Sequence, residues 1–159
     1  MLYNSFSFLL FFPTAVLLFW LCPGKMRKIV LLVTSYLFYM NWEPVYAFLL
    51  AGVTLVTYTG ALLLTRRNGG GKSLLATILS LVFLPLFVYK YLYFVTSSVW
   101  FVLEAVGLRF EMPHFELLLP IGISFFTFQA MSYVIDVYRG HFRAERHLGY
   151  FALFVSFFP

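Results

Sequence analysis

Apolar runs long enough to cross a membrane recur along this chain, and short clusters of Lys and Arg separate them. A helix needs roughly 20 mostly apolar residues to cross about 30 Å of hydrocarbon. Only helices and closed barrels satisfy their own backbone groups there. The pattern therefore implies an all-α, multi-pass transmembrane bundle with the lipid bilayer as its solvent. Composition points the same way. Of 159 residues, 62% are hydrophobic and 11% charged, whereas soluble domains are near half apolar and a quarter charged. That much apolar surface does not fit inside a small water-soluble globule.

The runs place about five spans. The first covers residues 6–22 and contains Pro13, where a kink is expected. The second covers 29–40 and extends through Trp42. The third covers 45–65. Between them, Asn41-Trp42-Glu43-Pro44 reads as a short polar turn, with Trp42 suited to the membrane interface and Pro44 to the first turn of a helix. Residues 66–72 form a loop by their glycines. The apolar stretch 73–103 would be about 45 Å long as helix, too long for one upright span and too short for two. Pro85 and Lys90 interrupt it. The expectation is a span over 73–92, then a tilted, re-entrant or interfacial segment over 93–106. A polar connection over 107–116 leads to a fifth span over 119–138, a polar stretch over 139–147, and a last apolar run from Tyr150.

Charge sets the orientation. Residues 1–24 carry no charged side chain. That does not fit a cleavable secretory signal, which begins with positive charge and ends at small residues. With the N-terminus outside, nine of the eleven Lys and Arg residues fall in cytoplasmic loops, at Lys25, Arg27 and Lys28, at Arg66, Arg67 and Lys72, and at Arg139, Arg143 and Arg146. Cytoplasmic loops of membrane proteins carry this excess. The same scatter argues against nucleic acid as the partner of the +5 net charge, because the basic residues form no single patch. The one cysteine, Cys22, makes no internal disulfide and no CxxC motif. Residues 150–159 would extend about 15 Å as helix, too short to span. The expectation is a part of a longer chain, truncated at its C-terminus; the alternative is a short re-entrant or interfacial tail.

Few motifs carry chemistry. Gly71-Lys72-Ser73 resembles the end of a phosphate-binding loop, but Arg66 stands where the first glycine belongs. His114, His141 and His147 lie in predicted loops and lack the i, i+4 spacing of a helical metal site, so no metal is expected. On the fifth span, Gly122 permits close approach of a neighbouring helix, and Ser124 and Thr127 can bond backbone or a partner helix. Gln129, Ser132, Asp136 and Arg139 fall within an arc of roughly 80° at 100° per residue. A polar stripe on a membrane helix should face protein or a wet cavity. Asp136 is either a functional carboxylate or an anchor paired with Arg139, three residues on. Lys90 either snorkels its amine to the outer interface or lines an internal path.

The stretch LPIGISFFTFQAMSYVIDVYRG, residues 119–140, closely resembles a signature of bacterial membrane-bound O-acyltransferases of the alginate O-acetylase type, with the teichoic-acid D-alanylation transferase as a cousin. LFYMNWEP (37–44), YKY (89–91) and FALFVSFFP (151–159) support the resemblance. It implies that residues 1–159 are the N-terminal part of a single transmembrane O-acyltransferase domain in the bacterial cytoplasmic membrane, with a funnel through the bilayer. Gln129, Ser132, Asp136, Arg139 and Lys90 would then be candidates for funnel or interhelix positions. Members move an acyl group, commonly acetyl, to a hydroxyl on an exported polysaccharide or a partner protein. The donor, acetyl-CoA or an acyl carrier, would be a substrate, and no cofactor is held. The family's invariant histidine follows the SFFP-like motif, so no catalytic residue is assigned here. Two other classes stay open: a transporter or channel built on Lys90, Gln129 and Asp136, and a non-catalytic membrane scaffold.

Overall fold

The computed structural model describes residues 6–42, 44–66, 71–105 and 122–157. Within them the chain forms six helices and no strand: α1 (Phe6–Leu21), α2 (Gly24–Trp42), α3 (Pro44–Arg66), α4 (Lys72–Ala105), α5 (Ile123–Tyr138) and α6 (Leu148–Ser156). Helices α1 to α3 cover the first three expected apolar runs, with α2 starting early, at Gly24, and Pro44 opening α3. The acid of the polar turn, Glu43, lies outside the described residues, as do 106–121 with His114 and Pro120.

Helix α3 is the hub. It packs against α2, α4, α5 and α6, while α1 rests on α2. Its buried positions, including Ala47, Leu50, Val53, Thr54, Thr57, Gly60, Ala61 and Leu64, step by three and four residues, which is one face of a helix. Several are small, so neighbouring backbones come close. The buried hydroxyls bond their own helix: Thr54 Oγ1 donates to the Leu50 carbonyl and Thr57 Oγ1 to that of Val53, each at 2.7 Å. Gly60 marks the tightest approach. A Cβ there would lie 2.8 Å from Ile78 Cγ2 on α4. Near the other end of the pair, the rings of Tyr46 and Tyr89 meet at 6.0 Å, so α3 and α4 run antiparallel.

The outward surface is as apolar as the interior. Phe48 on α3 is 78% exposed and Phe94 on α4 is 66% exposed. Two segments, Pro44–Arg66 and Lys72–Tyr91, are long and apolar enough to cross a membrane, and Phe8–Leu21 is a shorter apolar helix. Apolar side chains on both faces fit a membrane protein.

One expectation is corrected. No break separates 73–92 from the residues after it: α4 is a single helix of 34 residues that runs through Pro85 and Lys90. Proline is tolerated inside membrane helices because neighbours and local adjustments re-satisfy the freed backbone group. The polar residues beyond it also stay within the helix. Ser97 Oγ and Ser98 Oγ both donate to the Phe94 carbonyl, at 3.0 and 2.8 Å. Helix α1 likewise continues through Pro13.

The basic loops gather at one end. Arg66, at the end of α3, and Arg146, after α5, line one cleft. Lys28, early in α2, places Nζ 3.7 Å from the centroid of the Tyr150 ring on α6. The antiparallel pairing puts Lys72, at the start of α4, toward the same end. Replacing Gly60 with Ala should destabilise the bundle by about 1–3 kcal/mol through overpacking against Ile78, although alanine is the better helix former by about 1 kcal/mol. Thermal unfolding in detergent checks this, and Ile78→Ala in the same chain should recover part of the loss.

Candidate functional site

Helix α5 has two unlike faces. Ile123, Phe126, Thr127, Ala130, Val134 and Val137 are buried. Thr127 Oγ1 is buried with no hydrogen-bond partner among the described residues, so the expected bond to backbone or a partner helix is not formed. On the other side, Gln129, Ser132 and Asp136 line one cavity of about 500 Å³. The turn after α5 and helix α6 supply the rest of its wall, with Arg143 and Glu145 as the charged groups and Phe142, Phe151 and Phe154 as apolar ones. The sequence-derived stripe is thus a cavity wall for three of its four members. Arg139 does not line it.

Gln129 joins α5 to α6. Its Nε2 donates to the Phe154 carbonyl at 3.0 Å. Phe154 is among the last four residues of α6, whose carbonyls have no partner within the helix. Away from water such a carbonyl is costly to leave unpaired, and the glutamine supplies the missing donor.

Asp136 and Arg139 do not form the expected pair. Gly140, at φ 75°, ends α5 in a left-handed turn. The Gly140 N–H donates to the Val137 carbonyl at 3.1 Å, and the His141 N–H to the Asp136 carbonyl at 3.0 Å. This is the Schellman arrangement, which satisfies two orphan carbonyls at once. It folds the chain back so that His141 Nδ1 lies 3.4 Å from Asp136 Oδ1. Arg139 caps the helix in ordinary right-handed geometry and is exposed. Asp136 therefore anchors the turn through a histidine brought round by a glycine. Spacing along the helix could not show that.

The turn is fastened to two helices. Tyr133 Oη, on α5, accepts the Glu145 N–H at 2.8 Å. Tyr58 Oη, on α3, donates to the Arg146 carbonyl at 2.6 Å. The Glu145 carboxylate accepts the N–H groups of Arg146 and His147 at 2.8 and 2.9 Å, just ahead of α6, where negative charge is favoured. The His147 N–H holds the Glu145 carboxyl below the usual glutamate range. Partial burial opposes this, and the Arg146 N–H and the charges of His147 and Lys28 add to the lowering. The rings of Tyr133 and Phe151, 4.7 Å apart, close the back of the cavity.

Lys90 stands apart. It is exposed on α4, with Nζ 5.8 Å from the Tyr91 ring centroid, far along the helix from the basic end. The His147 ring lies tilted against that of Tyr150, with centroids 5.2 Å apart. Among the described residues, no three His, Cys, Asp or Glu side chains gather as metal ligands would. The cavity offers an amide, a hydroxyl, two phenols and two carboxylates beside one guanidinium, which is equipment for binding and orienting a polar group. Sequence reasoning missed Tyr58, Tyr133 and Glu145; a tyrosine in an apolar run carries no local sign that its hydroxyl serves a distant loop.

Gln129→Leu should cost about 1–3 kcal/mol, the penalty for an unpaired carbonyl, read as faster amide exchange in α6. Glu145 gives a pH signature. Its folded pKa lies below the unfolded one, so its contribution is present above the ordinary glutamate value of about 4.3 and is lost as pH falls through the folded value. Glu145→Gln should lower the melting temperature at neutral pH, and the gap from the parent protein should close below about pH 4.

No protein-family model and no solved structure matches the chain. Curated proteins do. The whole chain aligns at 38% identity with 31% of a Pseudomonas aeruginosa protein named "Probable alginate O-acetylase". It aligns at 40% identity with 33% of a protein of that name from Pseudomonas putida. A "Peptidoglycan O-acetyltransferase" of Helicobacter pylori is 29% identical over 83% of the chain, covering 29% of that protein. The chain spans about a third of the length of these relatives. Over the portion that it spans, the chain belongs to the membrane-bound O-acyltransferase family, in the alginate O-acetylase group.

Proposed function

We propose that this chain forms the N-terminal part of a membrane O-acyltransferase that moves an acyl group, acetyl above all, to a hydroxyl on an exported polysaccharide or partner protein. The observation that carries the reading is identity of 37–40% along the whole chain to proteins named for alginate O-acetylation. The donor is acetyl-CoA or an acyl carrier, delivered by a donor protein in the second case. The protein crosses the bacterial cytoplasmic membrane several times. Its N-terminus is outside and the end bearing Lys28, Arg66, Lys72 and Arg146 is cytoplasmic. The clustering of those cations at one end supports this orientation.

In such a transfer the acceptor oxygen attacks the acyl carbonyl carbon, the carbonyl oxygen gains negative charge, and the donor's carrier group departs. A base must take the hydroxyl proton, and donors must hold the oxyanion. The described spans present no buried histidine for the first task; in this reading the base is the family's histidine, which follows the SFFP-like motif. What these helices supply is a wall: Gln129, Ser132 and Asp136 beside a cavity whose other sides carry aromatic rings and the charged groups of Arg143 and Glu145. That surface suits a passage that orients a polar acceptor or donor group while excluding bulk water.

The test begins with the coding DNA beyond the codon for Pro159. The frame should continue into further apolar segments that carry a histidine. Membranes containing the intact product should transfer labelled acetyl groups to polysaccharide, and substituting that histidine with Ala should abolish transfer. Undiminished transfer in that variant would sink the proposal. Ser132→Leu, which removes a polar group without touching the helix contacts, should lower transfer by about 10-fold or more if the wall orients a reacting group.

A further inference from the structure

A second cleft lies at the basic end of the bundle, away from the α5 stripe. Tyr58, Leu62, Thr65 and Arg66 of α3 face Ala144 and Arg146 of the turn after α5 across about 410 Å³. The hydrogen bond from Tyr58 Oη to the Arg146 carbonyl, at 2.6 Å, fixes the two walls relative to each other. The cleft is therefore built by a tertiary contact. Two guanidiniums come to it from segments eighty residues apart in sequence. Among the described residues, no acidic side chain lines it. The nearest acid in sequence, Glu145, directs its carboxylate to the N–H groups of Arg146 and His147. Among the described residues the ion pair is that of Asp136 with His141, so both guanidiniums are available to an outside anion.

We propose that this cleft binds the headgroup phosphate of an anionic phospholipid. Arginine forks match phosphate oxygens in pairs, and Thr65 and the half-buried Tyr58 ring give the cleft a mixed polar and apolar lining. The surface below decides the source of the phosphate. Leu55 and Phe48 lie on the same side of α3 as Leu62, and they are 49% and 78% exposed. From Leu62 to Phe48 the helix rises about 21 Å, somewhat more than one leaflet of a hydrocarbon core about 30 Å thick. A guanidinium pair at the head of an exposed apolar stripe has the layout of an amphiphile: phosphate above, acyl chain below. A free phosphate would use only the top of it. The proposal rests on the membrane reading and on these cations lying at a lipid interface.

The test uses the intact protein in a neutral detergent, with native mass spectrometry of bound dioleoylphosphatidylglycerol, dioleoylphosphatidylcholine and inorganic phosphate. The anionic lipid should bind at least tenfold more tightly than the zwitterionic one. Arg66→Gln with Arg146→Gln should weaken the anionic lipid about thirtyfold, roughly fivefold per cation at the membrane surface compounded twice. Lysine at both positions keeps the charge but loses the fork and should recover only part of the binding, and both double variants should keep the parent melting temperature. Lys72→Gln, outside the cleft, should leave binding unchanged. Equal loss in Lys72→Gln would mean general surface charge and would overturn the site. So would full displacement of the lipid by inorganic phosphate, or equal affinity for the two lipids. Release of the protein from membranes by alkaline carbonate would instead refute the membrane reading beneath it.

Discussion

In lipid there is no water to take up a stray N–H, carbonyl or hydroxyl, so each polar group must find its partner within the protein. Much of this structure follows from that constraint. The threonines of α3 bond back onto their own helix, which removes a liability without spending a tertiary contact. Where a helix ends, the helix itself has no remedy. Gln129 then serves the Phe154 carbonyl near the end of α6, and Gly140 folds two N–H groups over the end of α5. The turn after α5, at the basic end, is tied down by the hydroxyls of Tyr58 and Tyr133.

This view changes how the polar stripe of α5 is understood. Gln129 and Asp136 were the natural candidates for chemistry, since polar side chains in membrane helices usually have functional reasons to be there. Both have structural employment here, one at a helix end and one against His141. A residue with structural work is still available to line a passage. Ser132, which lines the cavity from an exposed position, is the stripe member with the least evident architectural role.

The helices were legible in the sequence because hydrophobic length is a property of a local window. The position of α5's polar arc was legible for a related reason: helical geometry fixes angles between nearby residues. What failed was anything that required knowing what comes next in space. Pro85 and Lys90 looked like interruptions, yet α4 carries on through both, as a membrane helix can around an internal proline. Arg139 looked like the partner of Asp136, but the left-handed conformation of Gly140 delivers His141 instead. The bond between Tyr58 and Arg146 joins residues 88 positions apart, a separation at which neither period nor propensity carries information.

The length of α4 has a mechanical consequence. Its 34 residues measure about 51 Å, rising 1.5 Å each. Even at a tilt of about 40°, near the upper end of those seen, it would reach about 39 Å through the membrane, against about 30 Å of hydrocarbon. With Lys72 near the basic surface, the surplus emerges at the far surface, where Phe94, Val99 and Phe101 remain 66%, 49% and 75% exposed. Those side chains resist a fully aqueous setting. On the proposed membrane reading, the bilayer beside α4 would thicken, the rod would lean and carry its neighbours with it, or its far end would lie among the headgroups. A bundle with one oversized strut registers hydrophobic mismatch, and the geometry of the cavity beside α5 would respond to the thickness of the membrane that holds it.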